Sequence, residues 1–212
     1  MKTIEINKIP EIDASSLSAV SVAMRHGGVR AEIDTVNWPD YHYAPSVSLW
    51  LAYTADKLWC YFEVEEKHAL AVNMAPNGNV WEDSCVEIFV GDPDGRHYFN
   101  FENNCIGTGL VARRLSQTDF VLWPEADVLK VTRLSSLPHE PVDKHGGVKW
   151  QLAVGIPFAM IGFDGGAPGE LRGNFYKCGD NTETPHFLSW SPIVTAAPSF
   201  HQPGFFGKII LK

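Results

Sequence analysis

Apolar and polar residues alternate at every second position along several short stretches of this chain. In residues 57–65 the apolar side chains take alternate positions, namely Leu58, Cys60, Phe62 and Val64. Residues 85–90 repeat the pattern with Val86, Ile88 and Val90. Alternation over five or more residues indicates a β-strand with one buried face. The chain is therefore expected to be built mainly from strands.

Further strands are predicted at seven segments: 47–54, 97–103, 127–134, 149–156, 174–178, 187–190 and 206–211. Residues 91–95 and 139–147 are rich in turn-forming and polar residues and are predicted to be hairpin loops. Residues 157–162 are predicted to form one short helical turn, and no helix of three or four turns is recognised. We predict an all-β fold: an antiparallel β-sandwich, immunoglobulin- or jelly-roll-like, with little helix and one domain over residues 1–212.

Composition and charge argue against two kinds of partner. The 212 residues carry a net charge of −8 and no basic run, which disfavours binding to nucleic acid or to an anionic membrane surface. The first residues lack the apolar core of a signal peptide. We expect a cytoplasmic protein as the sequence stands, and a secreted or periplasmic one if a leader has been removed.

Cysteine and histidine spacing gives little support for a metal site. The four cysteines are far apart in the sequence and lie in apolar stretches, so they are predicted to be free thiols. The eight histidines form no H-x-H or H-x-x-x-H pair, and no transition-metal site is predicted. Calcium could bind the acidic loop at Asp92 and Asp94, although a solvated loop is the preferred interpretation.

Trp81 and Glu87 are the first candidates for ligand binding. Trp81 follows a loop rich in Gly, Pro and Asn, and Glu87 lies on the next strand, on the face opposite Val86 and Ile88. An indole can stack on the C–H face of a sugar ring, and a carboxylate can accept hydrogen bonds from its hydroxyls. The alternative is that Trp81 fills the loop against the core and Glu87 is a solvated strand residue.

Two later segments add candidates. Phe200 and His201 lie between Pro198 and Pro203, and prolines stiffen a loop and lower the entropic cost of holding a binding ring in place. Tyr176 lies on a predicted strand, where it either lines a binding surface or is a buried tyrosine with one satisfied hydroxyl. A plain strand-entry turn with Phe200 packed inward is the alternative for the first segment.

Enzyme motifs are absent from the sequence. No nucleophile elbow, P-loop or dinucleotide-binding pattern occurs, and no second acidic cluster clearly pairs with the one at residues 82–87. Glycosidases need two carboxylates that flank one bond, so the chain is not expected to be an enzyme. A haem-binding sandwich domain, with axial ligands drawn from the histidines and from Met24, Met74 or Met160, is a weaker alternative, as is a glycoside-processing enzyme.

Several segments together resemble the family 9 carbohydrate-binding modules. Residues 81–90 (WEDSCVEIFV) are similar to that family's W-E-x-D-x-V-E-I-F strand. Matching segments follow in the family's order at 98–101, 106–108, 150–158, 173–177, 188–192 and 200–207. The resemblance extends over roughly residues 30–212 and implies a β-sandwich that binds a glycan or oligosaccharide without cleaving it.

The resemblance also implies which residues contact the ligand. The two aromatic rings that enclose the sugar fall on Trp81 and Phe200, and the acidic partner falls on Glu87. The family's glutamine falls near Tyr176 and its arginine near His97. The chain departs from the studied modules at Phe200, where they have tryptophan, and at Ala197, where they have asparagine. Such a role implies carbohydrate catabolism, with glycan-degrading enzymes as expected partners and no required cofactor.

Overall fold

The computed structural model describes residues 1–93 and 97–212, and strands predominate in this part of the chain. Two short helices are α1 (Leu17–Gly27) and α2 (Glu125–Val128). The strands are β1 (Thr3–Lys8), β2 (Val29–Glu32), β3 (Thr35–Val36), β4 (Ser46–Tyr53), β5 (Lys57–Ala71), β6 (Cys85–Gly91), β7 (Tyr98–Asn104), β8 (Gly109–Arg114), β9 (Phe120–Leu122), β10 (Thr132–Ser135), β11 (Val142–Pro157), β12 (Glu170–Cys178), β13 (Phe187–Ser189) and β14 (Gly207–Leu211).

The strands form two layers. In the first, the order is β9-β8-β7-β6-β12, with β14 beside the first half of β12, β13 beside its second half and β3 beside β13. In the second, the order is β10-β11-β5-β4, with β2 and the end of β1 beside β4. The start of β1 pairs with β14, so β1 joins the two layers. Both pairings of β1 are parallel and the other described pairings are antiparallel, which confirms a sandwich that is antiparallel in the main.

The core lies between the two layers, on the faces that the period-two pattern predicts. Alternate residues of β5 and of β6 point inward and are buried: Leu58, Cys60, Phe62, Val64, Val86, Ile88 and Val90. Each such side chain stabilises the fold by about 1.5–3 kcal/mol relative to leaving it exposed. The residues between them point to the outer faces. On β6, this rule turns Glu87 and Phe89 away from the core.

One ion pair crosses this core. Lys177 Nζ on β12 lies 2.9 Å from Glu66 Oε2 on β5, and both side chains are fully buried. His186 Nε2 lies 2.9 Å from the same ammonium group, and the Trp150 indole N–H donates to Glu66 Oε1 at 2.5 Å. Burial and the neighbouring Lys177 lower the pKa of His186 to about 2, so the imidazole is neutral. The pair fixes how the two layers are aligned, because separating the two groups would leave a buried charge without a partner.

The outer face of the second layer is covered by α1, a helix that the sequence analysis missed. Ser16 caps its start by accepting a hydrogen bond from the Ala19 N–H. Val20 and Met24 are buried against the outward residues of β5, which include Trp59 and Tyr61. Because the helix buries only these two residues fully, its apolar stripe is too weak to recognise from the sequence. No helix in the described residues is long and apolar enough to span a membrane.

Two other local predictions were wrong. The first part of the predicted strand 127–134 lies in and after α2, and the strand starts only at Thr132. The predicted loop 139–147 is strand from Val142 onward. Gly146 and Gly147 both adopt positive φ, and the register with β5 shifts at this point, which indicates a β-bulge. A polar, glycine-containing segment is predicted as a turn because sequence patterns do not show that β5 extends far enough to pair with it.

The predicted helical turn at 157–162 is confirmed as a short 3-10 helix at Phe158–Ile161. The cysteines predicted to be free thiols are all buried and unpaired in the structure. Burial raises the pKa of the Cys85 thiol to about 11. These thiols therefore remain protonated at neutral pH and behave as small apolar side chains.

Candidate functional site

A cavity of about 390 Å³ opens on the outer face of the first layer. Its floor is formed by outward side chains of β6, β7, β8 and β12, and its walls by the loops that carry residues 81, 117, 180 and 198–201. The residues that give it chemical character are Trp81, Glu87, Glu102, Arg114, Phe120, Asp180 and Phe200. The structure therefore brings Trp81, Glu87 and Phe200, three of the residues singled out from the sequence, to one cavity.

The loop that presents Trp81 is fixed by the two residues that follow the acidic Glu82. The buried Asp83 carboxylate accepts hydrogen bonds from the Val72 and Asn73 N–H groups at 3.1 Å and from the Asn104 amide at 2.8 Å. Ser84 accepts from the Leu70 N–H at 3.1 Å. These contacts attach the loop to β5 and β7. The half-buried indole is thus positioned by a rigid support at the mouth of the cavity.

Phe200 is held in an aromatic cluster. Its ring stacks on Tyr176 with centroids 4.2 Å apart and planes at 7°, and it also packs against Trp38 and Phe187. The Tyr176 hydroxyl donates to the Phe200 carbonyl at 3.1 Å. Only 8% of Phe200 is exposed, so this ring offers the cavity a limited area. Tyr176 lies beneath it, is fully buried, and supports the wall without lining the cavity.

Phe120 offers more aromatic surface than Phe200, since 43% of it is exposed. The Arg114 guanidinium lies over its ring at 4.3 Å from the centroid. Arg114 also donates from Nε to Asn100 Oδ1 at 2.7 Å and from Nη1 to the Gln117 carbonyl at 2.8 Å. These contacts hold the guanidinium at the cavity wall, where it can act as a hydrogen-bond donor to a bound molecule.

The floor contains two carboxyl groups on adjacent strands. Glu87 on β6 and Glu102 on β7 are register partners, and each is 3% exposed. The Cys178 thiol donates to Glu87 Oε1 at 3.1 Å, and the Asn100 amide donates to Glu102 Oε1 at 2.7 Å. Asp180, on the loop after β12, adds a third carboxyl group. Sequence analysis found no partner for the acidic cluster at 82–87, and the structure corrects this by pairing Glu87 with Glu102.

Burial raises the pKa of all three carboxyl groups. The pKa of Glu87 is well above its ordinary value because of burial and then the nearby Glu102 charge. Burial raises the pKa of Glu102 to about 7, against the opposing effects of Arg114 and Asn100. Burial and then Glu82 raise the pKa of Asp180 to about 6. His201, by contrast, is neutral because burial, and then Arg114, lowers its pKa to about 3.

His97 lies outside this cavity, in a separate depression of about 200 Å³ that also includes Arg172 and Phe206. Its Nε2 is 3.2 Å from Asp92 Oδ2. The register of β7 explains the difference: His97 precedes the strand, whereas the polar residues directed to the cavity come later, at Asn100 and Glu102. The cation of the site is Arg114 on β8, a strand that the sequence analysis did not recognise.

Two places outside the cavity bear on metal binding: the suggested calcium loop and a cluster of two histidines and a glutamate. Asp94, part of the suggested calcium loop, lies outside the described residues, so the preferred interpretation of a solvated loop stays a prediction. His68, His145 and Glu183 come close together on the surface. However, His68 Nδ1 accepts the Glu183 N–H at 2.8 Å, so its Nε2 carries the proton and donates to Asp143 at 2.9 Å. In this arrangement neither nitrogen of His68 is free to bind a metal ion.

A β-sandwich whose outer face carries an open cavity with aromatic rings, carboxylates and a guanidinium is the arrangement of a protein that binds a polar, ring-shaped molecule. The chain belongs to carbohydrate-binding family 9, whose family model matches residues 20–211. A comparison with curated proteins finds no match.

Solved structures agree with this membership. The chain is 36% identical to a Bacteroides uniformis protein described as a candidate carbohydrate-binding protein, with a TM-score of 0.93 and coverage of 100% of this chain and 99% of that one. A family 9 module from Caldicellulosiruptor kristjanssonii in complex with cellotriose is 13% identical, with a TM-score of 0.60 and coverage of 100% and 94%. The same organism's module in complex with glucose is also 13% identical, with a TM-score of 0.59 and coverage of 100% of this chain and 96% of that one. At this identity the last two show the shared fold alone.

Proposed function

We propose that the chain binds carbohydrate in the cavity at Trp81 and does not cleave it. The observation that carries the proposal is the combination, in one cavity of a family 9 fold, of a rigidly supported indole with buried carboxyl groups and a guanidinium. The Trp81 ring stacks on the C–H face of a sugar. Glu87 and Arg114 then orient it through hydrogen bonds to its hydroxyls, and the bond from Arg114 is charge-assisted. A single small ligand held this way is expected to bind with micromolar to millimolar affinity.

The arrangement of the carboxyl groups supports binding more than hydrolysis. Glycosidases place two carboxyl groups on either side of the scissile bond, about 5–5.5 Å apart in retaining enzymes and about 6.5–9.5 Å apart in inverting ones. Glu87 and Glu102 rise side by side from adjacent strands of one floor. They therefore contact a bound sugar from the same side, and neither lies on the far face, where a retaining enzyme needs its nucleophile and an inverting enzyme its water-activating base.

The haem alternative loses its support in this structure. Met24 is buried on the inner side of α1, Met160 is buried in the core between the layers, and Met74 packs partly buried against that core, so none of the three lines the cavity. The proposal keeps glycan-degrading enzymes as partners in carbohydrate catabolism. It also includes a cytoplasmic location for the protein as the sequence stands.

The test is a glycan array at neutral pH, followed by incubation of each bound glycan with the protein and assay for released reducing sugar. We expect binding to at least one glycan and no release. An array without any bound glycan would contradict carbohydrate binding. Steady release of reducing sugar that is lost in Glu87→Gln would instead show an enzyme.

A further inference from the structure

Glu102 has an oxygen that lacks a partner. The residue is 3% exposed, and its Oε1 already accepts the Asn100 amide. Its Oε2 is buried and has no hydrogen-bond partner among the described residues. An orphaned buried acceptor is costly and uncommon in native proteins, and it is usually explained by a role in binding or catalysis. Because Glu102 lines the cavity, the missing partner can be supplied by a bound molecule.

The charges around Glu102 limit what that molecule can be. Glu87 is its direct cross-strand partner, where two like charges repel each other. Asp180 adds a third carboxyl group. Among the residues that line the cavity, these three acidic groups face one positively charged side chain, that of Arg114. The neighbouring imidazole of His201 is neutral and the Cys178 thiol is protonated, so neither offsets the acidic groups.

We propose that Glu102 is a second ligand-binding carboxyl group, and that with Glu87 it restricts the site to sugars without a negative charge. This inference rests on the proposed function, and it names the class of carbohydrate that the same cavity takes. Glu102 Oε2 accepts a hydrogen bond from a sugar hydroxyl that lies on the Trp81 ring.

The hydroxyl group suits this position in either protonation state of Glu102. It donates to the carboxylate, and it accepts from the carboxylic acid, since a hydroxyl is both donor and acceptor. A sugar carboxylate can only accept, and it would bring a negative charge to a site that already holds the acidic groups of Glu87, Glu102 and Asp180. Arg114 supplies a single positive charge that already acts on Glu102, so it does not offset an added negative charge fully.

The experiment compares neutral sugars with their uronic acids by isothermal titration calorimetry at pH 7.5 and low salt. The probes are three matched pairs: glucose with glucuronate, galactose with galacturonate, and mannose with mannuronate. We expect at least one neutral sugar to bind, and its acid to bind at least tenfold more weakly. This comparison uses the unaltered protein and does not depend on a variant that folds.

The variant Glu102→Gln then tests the residue. Loss of a hydrogen bond to a charged group is expected to weaken neutral-sugar binding about tenfold or more. The difference in affinity between the neutral sugar and its uronic acid should become smaller. Glu65→Gln, an exposed carboxylate on β5, is the matched control and should bind like the unaltered protein. The thermal midpoint of Glu102→Gln should equal or exceed that of the unaltered protein, which separates a binding role from a structural one.

The outcomes separate this inference from the proposed function. If uronates bind as tightly as the neutral sugars, or if Glu102→Gln binds neutral sugars like the unaltered protein, the inference is wrong and carbohydrate binding still stands. If none of the six sugars and no glycan on the array binds, both the inference and the proposed function are wrong.

Discussion

Glu87 on β6 and Glu102 on β7 face each other across the two strands, and both carboxyl groups lie buried on the floor of the cavity. Each has one internal hydrogen bond to a carboxyl oxygen, from Cys178 and Asn100 respectively. A sheet does not gain stability from two acids placed together in this way, because burial and mutual repulsion both oppose ionisation. Such a pair is better explained by what the cavity binds than by what the fold needs.

The burial of Glu102 predicts how stability depends on pH. The pKa of Glu102 is about 7 in the folded protein and is raised from an ordinary value of 4.5, so folding favours the protonated form. The stability linked to this proton is present below pH 4.5 and is lost as the pH rises through about 7. In Glu102→Gln that loss is absent. The free energy of unfolding of the variant relative to the unaltered protein should therefore rise between pH 5 and pH 8, by on the order of 1–3 kcal/mol.

Urea unfolding at several pH values in this range measures the difference. Glu65→Gln, whose carboxylate is exposed, is the control and should show no such trend. Unfolding curves for Glu102→Gln and the unaltered protein that stay the same distance apart from pH 5 to pH 8 would contradict the assigned protonation.

Trp81→Ala should abolish measurable sugar binding while the domain stays folded. The half-buried indole supplies the stacking surface, and its loop is held by Asp83 and Ser84, which the substitution leaves in place. Trp50→Ala is a matched control, because Trp50 is also half-buried but lies in the second layer near α1. Titration calorimetry with the strongest array hit measures both variants. Trp81→Ala that binds normally and melts at a much lower temperature would identify Trp81 as a core residue.

Phe200→Ala should affect stability more than the sequence suggests. The ring is 8% exposed and stacks on Tyr176, so truncation removes a well-packed aromatic and should lower the free energy of unfolding by about 3–5 kcal/mol. Binding should weaken as the wall relaxes. Thermal and urea unfolding measure the first effect, and calorimetry the second. A change of less than about 1 kcal/mol would show that Phe200 is a surface ring held only by its prolines.

The ion pair between Glu66 and Lys177 predicts a strong effect of single substitutions. Lys177→Met leaves the Glu66 carboxylate buried without its ammonium partner, which should cost about 3–5 kcal/mol. The double variant Glu66→Met with Lys177→Met should recover part of this loss, because no buried charge is then left alone. Urea unfolding of the two single variants and the double variant gives the coupling energy. Additive losses would mean that the two side chains do not interact.

Period-two patterning predicts much of the fold because burial on one face of a strand leaves a direct trace in the sequence. It places Val86 and Ile88 in the core and so turns Glu87 outward. The indole at Trp81 could also be located, since it lies in a turn-rich segment next to that strand. Both predictions depend only on residues that are close together in the chain.

The rest of the site depends on contacts between distant residues. Glu102 faces Glu87 because the hairpin sets the register of β6 and β7, and a one-residue slip would have turned it into the core. A signal for Glu102 does exist, since Asn100 and Glu102 alternate with the buried Phe99 and Phe101. Arg114 gave no such signal, because its strand was not recognised. The helix α1 was missed because only two of its residues are buried fully.

A crystal structure of the protein with the oligosaccharide that binds most tightly on the array tests the central claim most directly. The account predicts one sugar ring stacked on the Trp81 indole, with its hydroxyls within hydrogen-bond distance of Glu87, Glu102 and Arg114. A sugar bound elsewhere, for example in the depression beside His97, with the cavity at Trp81 left to solvent, would contradict it.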